Sequence, residues 1–218
     1  EEEVRVGSLQ SARLQGKTDQ SKVEMMSQRR KRRRRIGYLG PEGTFTHQAL
    51  DLIPGLKLAL GVSFPSVADV IHALEGGVID GGIVPIENSI EGAVTATLDG
   101  LAFSRAPVRI VAEVQLPIHF DLFAARGMGT RRIREVRSHP HAFAQCRRYI
   151  AKHHLETRSA PSTAEACQQL KGEPRPGVGA IASRKAGEMY GLETVARGIE
   201  DAADAVTRFV YLESLPAR

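Results

Sequence analysis

Short apolar runs that alternate with segments of helical period predict an α/β fold of two lobes with largely parallel strands. Two further observations support it. The pattern strand–helix–strand–helix–strand occurs twice, the halves meeting near Gln115–Pro117, with no sequence repeat beneath that echo. The chain of 218 residues, 42% hydrophobic and 25% charged, has the composition of a globular protein and the length to bury a core.

Taken in order, Ile36–Leu39 reads as a strand and Thr44–Leu52 as a helix carrying Phe45, Ala49 and Leu52. Lys57–Gly61 reads as a strand, and Ser66–Leu74 as a helix with Val67, Val70, Ile71 and Leu74 on one side. Gly81–Ile86 is a strand, Ala93–Phe103 a helix, and Val108–Leu116 and Ile118–Ala125 two consecutive strands. In the second half Arg134–Arg137 is a strand, and His141–His153 a helix with Phe143, Cys146, Tyr149 and Ile150. Leu155–Ser159, Val178–Ala182 and Val206–Leu212 are strands; Thr163–Leu170 and Arg184–Tyr190 are helices. Gly127–Thr130 and Gly172–Gly177 read as surface loops. The predicted organisation is a tail over 1–34, a first lobe from 35–115 plus 200–213, a second lobe over 116–199 and a C-terminal end at 214–218.

The net charge of +5 is unevenly placed. Residues 1–35 hold 11 Lys/Arg against 5 Asp/Glu, and the remaining residues hold 19 against 20. The tail is polar, aromatic-free and aperiodic, which predicts disorder. The block Arg29–Arg35 could bind phosphates, but no aromatics interleave it and no nucleic-acid motif follows, so a solvated leader is expected and nucleic acid is not an expected partner. No apolar run reaches the roughly 20 residues of a membrane helix, and no secretory apolar region opens the chain; no membrane and a cytoplasmic location are expected. Cys146 and Cys167 make neither a disulfide scaffold nor a zinc site, and His139 and His141 lack a third ligand at a recognisable spacing, so no metal is expected.

The informative residues stand where strands run into helices. Gly40-Pro41-Glu42-Gly43-Thr44 suits close backbone approach and a helix cap, with amides that favour an anion; an ordinary tight turn reads the same way. Pro85-Ile86-Glu87-Asn88-Ser89-Ile90-Glu91-Gly92 is unusually polar after an apolar strand, and Asn88 and Ser89 offer donors and acceptors to a ligand or to a helix start. Ser138-His139-Pro140 puts a cap residue and a proline at a helix entry, and Ser162-Thr163-Ala164-Glu165 fits a capping box. Thr207-Arg208-Phe209 opens the last strand; Arg208 is either an anion clamp in a cleft or a surface ion-pair partner, with Phe209 in the core.

Together, in this order and spacing over roughly residues 35–213, these motifs resemble the catalytic region of the prephenate dehydratase family. The resemblance implies a type-2 periplasmic-binding-protein architecture, two α/β lobes around an active-site cleft. It implies decarboxylative dehydration of prephenate to phenylpyruvate in phenylalanine biosynthesis, without cofactor or metal. By similarity Thr207 donates to the departing ring hydroxyl and is the expected catalytic residue. Arg208 is expected to pair with a substrate carboxylate. Thr44, Asn88, Ser89, Ser162, Thr163, His139 and Phe209 are expected to bind substrate, and Glu87 and Gly43 to support the loops. The family suggests a homo-oligomer, dimer or tetramer. Many members carry Asn where this chain has Ala205, and many carry a C-terminal ACT domain, for which the residues after the last predicted strand leave no room. Arogenate dehydration, non-aromatising prephenate decarboxylation and non-catalytic binding of a small anion are the alternatives. Retention of Thr207-Arg208-Phe209 favours dehydration over the decarboxylase branch.

Overall fold

In the computed structural model, which describes residues 33–127 and 133–215, two sheets stand where two lobes were expected. The expected tail before Arg33, most of the loop Gly127–Thr130 and the chain end from Pro216 lie outside the described residues. Residues from Arg35 onward pack as one unit.

The first sheet contains β1 (Arg35–Leu39), β2 (Leu60–Phe64), β3 (Gly81–Asn88), β4 (Gly92–Ala93), β5 (Val108–Pro117) and β11 (Val206–Ser214). Its order is β2-β1-β3-β11-β5, with β4 beside β3. β1 runs parallel to β2 and β3, while β11 lies antiparallel between β3 and β5. The second sheet, ordered β10-β6-β9-β7-β8, contains β6 (Asp121–Ala124), β7 (Glu135–Ser138), β8 (Glu156–Ser159), β9 (Val178–Ala182) and β10 (Glu193–Ala196). Here β7, β8 and β9 are parallel, and β6 and β10 antiparallel. Both sheets are therefore mixed rather than largely parallel. Each keeps a parallel trio fed by helical crossovers and adds an antiparallel neighbour, β11 or β6, that arrives without one.

The helices are α1 (Phe45–Leu52), α2 (Val67–Glu75), α3 (Thr95–Ala102), α4 (Pro140–Gln145), α5 (Arg147–Lys152), α6 (Thr163–Gly172) and α7 (Arg184–Met189). The first sheet is covered on both faces. Ile36, Tyr38, Ile83, Phe209 and Tyr211 pack with Ala49 and Leu50 of α1, whereas Val84, Val210 and Leu212 pack with Val70, Ile71 and Leu74 of α2. The period of two along β11 thus sends 209 and 211 one way and 210 and 212 the other. That alternation decides where Thr207 and Arg208 point.

Several boundaries differ from expectation for identifiable reasons. β2 starts at Leu60, because Lys57–Ala59 closes a turn in which the Ala59 N–H donates to the Leu56 carbonyl at 2.8 Å. The segment predicted as one helix over 141–153 breaks at Cys146. The Gln145 carbonyl accepts from the Asp201 N–H at 2.6 Å, and the Asp201 carboxylate accepts from the Arg148 N–H at 3.1 Å, so a distant residue ends α4 and caps α5. β3 runs through Asn88 because β11 continues to pair with it. β4 and β10 were not foreseen; both are short, and neither carries an alternating apolar pattern.

Candidate active site

A cavity of about 910 Å³ lies between the sheets. Its wall includes Thr44, Asn88, His139, Ser162, Thr163, Thr207 and Phe209, drawn from five separate stretches of sequence. Five helices begin on it: α1 at Thr44–Thr46, α2 at Val67, α3 at Val94–Ala96, α4 at His139–Ala142 and α6 at Ser162–Thr163.

These entries follow from local sequence. The Thr44 hydroxyl accepts from the His47 N–H at 3.3 Å and donates to the Leu39 carbonyl at 2.8 Å, capping α1 and tying it to β1. Ser162 accepts from the Glu165 N–H at 3.0 Å, as the capping-box spacing predicts. At α4 the cap is His139, not Ser138. The His139 ring accepts from the His141 N–H at 3.3 Å, while buried Ser138 donates to the Ile181 carbonyl at 2.6 Å. α3 starts at Val94 with no side-chain cap, leaving its first amides for another acceptor. Converging N-termini favour an anion by roughly 0.3–1 kcal/mol each, and more where partly buried.

Thr207 lies on the cavity wall. It is 7% exposed and faces the cavity, on the side of the sheet that Phe209 and Tyr211 occupy. Its hydroxyl oxygen accepts from the Asn88 side-chain amide at 2.8 Å, across a sequence separation of 119. The Asn88 carbonyl oxygen accepts from the N–H groups of Ile90 and Glu91 at 2.9 and 3.1 Å, which fixes which end of the amide meets Thr207. With its oxygen already accepting, the hydroxyl is left with a proton to donate.

Arg208 points the other way. Its guanidinium binds Glu113 at 3.0 and 2.8 Å and also pairs with Glu87, and it does not line the cavity. The bonds to Glu113 first, and to Glu87 next, raise its pKa further above the ordinary range. The arrangement does not supply the expected substrate clamp: adjacent residues on a strand face opposite sides, and Thr207 takes the cavity side. Glu87 is correspondingly an ion-pair partner of Arg208. Ser89 also stays off the cavity wall; its hydroxyl accepts from the Val206 N–H at 3.0 Å and pins β3 to β11. Gly43 has φ +90, and a Cβ there would meet Ala186 Cα at 3.2 Å. Its carbonyl accepts from Ser183 of the second lobe at 3.1 Å.

Sequence reading missed Glu91, His141 and Gln145. Gln145 is buried, donates to Glu91 at 3.2 Å, and its side-chain oxygen has no partner among the described residues. A ligand hydroxyl would satisfy that oxygen. The His141–Gln145 spacing of four places both on one helix face, and that was the available signal. Burial, and then the neighbouring His141, push the His139 imidazole below its ordinary pKa, against the pull of Glu91. No Lys or Arg is on the wall among the described residues. Burial raises the thiol of Cys146 and holds that of Cys167 at about 12, so neither is a ready nucleophile.

The family model described as prephenate dehydratase matches residues 36–216. The prephenate dehydratase of Bacillus subtilis (strain 168) is 36% identical over 182 residues, covering 82% of this chain and 63% of its own. The bifunctional chorismate mutase/prephenate dehydratase of Stutzerimonas stutzeri is 36% identical, covering 83% and 48%. Among solved structures, prephenate dehydratase from Arthrobacter aurescens in complex with L-Phe superposes with a TM-score of 0.76 at 36% identity, covering 84% and 61%. GqqA, described as a novel type of quorum quenching acylase, superposes with a TM-score of 0.73 at 28% identity, covering 85% and 66%. The chain thus spans about half to two-thirds of the length of these relatives. On the match across 36–216 and the identity to these enzymes, it belongs to the prephenate dehydratase family.

Proposed function

We propose that this chain binds prephenate in the cleft and converts it to phenylpyruvate, carbon dioxide and water, as a cytoplasmic enzyme of phenylalanine biosynthesis. The observation that carries the reading is the Thr207 hydroxyl, held by Asn88 with its proton free, at the wall of an inter-lobe cavity.

In the reaction the bond from the ring to its carboxylate breaks, and carbon dioxide departs. The electron pair moves into the ring, and the bond to the ring hydroxyl breaks on the opposite side. Thr207 shares its proton with the departing oxygen, which leaves as water, and regains a proton from solvent. Threonine is a weak acid, but aromatisation supplies the driving force, so a well-aimed hydrogen bond suffices. With Arg208 turned away, the substrate carboxylates fall to the helix N-termini, the hydroxyls of Ser162 and Thr163, and His139.

The wall carboxylates Glu91 and Glu165, with no Lys or Arg among the described wall residues, favour a second reading in which the ligand carries an ammonium, as arogenate does. Parallel initial rates with prephenate and arogenate decide between the two, phenylpyruvate and phenylalanine being the respective products. No turnover of either by folded protein would leave only a binding module. An acylase would need a base on its nucleophile, and Asn88 donates to Thr207 instead of accepting. We further propose a homo-oligomer. The edge strand β5 bears exposed Ile110 and Val111, and sedimentation velocity tests the point.

A further inference from the structure

Apart from the contacts made by the chain crossings at 117–120 and 199–206, polar contacts among the described residues span the cleft at two places. In the first, Ser183 donates to the Gly43 carbonyl at 3.1 Å, Tyr190 donates to the Glu42 carbonyl at 3.1 Å, and Lys185 pairs with Asp51. Ser183 is buried and Gly43 lies against Ala186, so this seam is a packed one. The second place differs in character. Glu91, in the turn between β3 and β4, accepts from His141 Nδ1 at 2.8 Å through one oxygen and from Gln145 Nε2 at 3.2 Å through the other. Glu91 belongs to the first lobe, and His141 and Gln145 lie on α4 of the second. The side chains of His141 and Glu91 are 66% and 34% exposed. All three residues line the cavity.

We propose that Glu91, His141 and Gln145 are positioning residues, forming a reversible clasp that draws the two lobes together over the bound ligand. Three features support it. The clasp joins elements that no strand or helix connects directly. Its outer pair is exposed, hence weak enough to open at each turnover. It also acts on groups that meet the ligand: the turn holding Glu91 is the one whose N–H groups fix Asn88, and the His141 ring packs edge-on against His139 with centroids 4.7 Å apart. Closing the clasp therefore settles Asn88, and through it Thr207, on one side, and His139 on the other. The His141 N–H also engages a carboxylate oxygen that would otherwise face the ligand.

The kinetic arm of the test rests on the prephenate reading; the exchange arm does not. Kinetics are measured for Glu91→Ala, His141→Ala and His141→Gln, and amide hydrogen exchange is followed in the ligand-free proteins. Loss of an exposed pair predicts a rise in KM of about five-fold for Glu91→Ala and about two- to five-fold for His141→Ala, with kcat within about two-fold. His141→Gln keeps an N–H donor and restores KM. Exchange at the cleft-lining amides of α4 and of the turn 89–92 accelerates in both alanine variants and not in His141→Gln. Unchanged KM and exchange in both alanine variants would overturn the clasp. So would a fall in kcat at constant KM, which would place Glu91 in the chemistry, or a His141→Gln variant as impaired as His141→Ala. Should Glu91→Ala fail to fold, the two substitutions at exposed His141 decide alone. Absence of turnover by the unsubstituted protein, with the exchange pattern as predicted, would remove the substrate and leave the clasp.

Discussion

Thr207 and Arg208 are adjacent in sequence and face opposite ways, Thr207 into the cavity and Arg208 onto Glu87 and Glu113, a consequence of strand geometry. Had Arg208 gripped a substrate carboxylate, its removal would raise KM by well over ten-fold, since a charge-assisted bond to substrate contributes about 1.5–3 kcal/mol. With its guanidinium held by Glu113 and Glu87, Arg208→Ala is expected to change KM by less than about three-fold while lowering the melting temperature through the loss of a networked surface pair. Steady-state kinetics beside thermal unfolding of the same sample check both halves. His47 offers a second residue-scale test. Its Nδ1 accepts from the Gly43 N–H at 3.0 Å, and its pKa is lowered, by burial first and then by Lys185. A histidine with a depressed folded pKa resists protonation in the native state alone. Stability is therefore full above the unfolded value near 6.5 and falls as the pH drops through the folded one. His47→Gln should flatten part of the loss in melting temperature between about pH 7.5 and 5. An identical pH profile in the variant would contradict this account of the site.

At the scale of elements, the sequence showed most of the secondary structure and little of what ends it. β1, α1, α2, β9 and α6 were legible because period, cap residue and flanking glycine or proline agreed locally. The break at Cys146 was not legible, since its cause is Asp201, far along the chain. The run Lys57–Ala59 reads as strand in sequence, yet leucine fits a turn as readily when it stays in solvent, as Leu58 does. Asp201→Ala should cost about 1 kcal/mol, the value of a lost helix cap, measured by urea unfolding at neutral pH. A change near zero would mean that α5 starts at Cys146 without help. Cap residues also account for much of the legible site. Thr44 and Ser162 were found because capping is a local pattern, whereas the cross-cleft partnership of Glu91 with Gln145 is not written in any spacing shared by the two.

For the molecule as a whole, the decisive event is the return of the chain. After building the second sheet it re-enters the first as β11, between β3 and β5, and brings Thr207 beside Asn88 at the cavity wall. The five motifs were recognisable together because this topology makes them neighbours; singly, each served equally well as a cap or a turn. The mixed character of the first sheet follows from the same return, as β11 arrives without a helical crossover and runs antiparallel to β3 and β5. Burial of Phe209 next to Thr207 anchors the strand, and Phe209→Ala is expected to cost about 3–5 kcal/mol, read as a lowered denaturation midpoint. The placement of a proton-bearing hydroxyl in the cleft is tested most directly by kcat/KM on prephenate for Thr207→Ala and Thr207→Ser, in samples shown to be folded. The account predicts a loss of about 10²–10⁴-fold for alanine and substantial recovery with serine, which keeps the donor. Turnover by the alanine variant within a few-fold of the unsubstituted protein would contradict it.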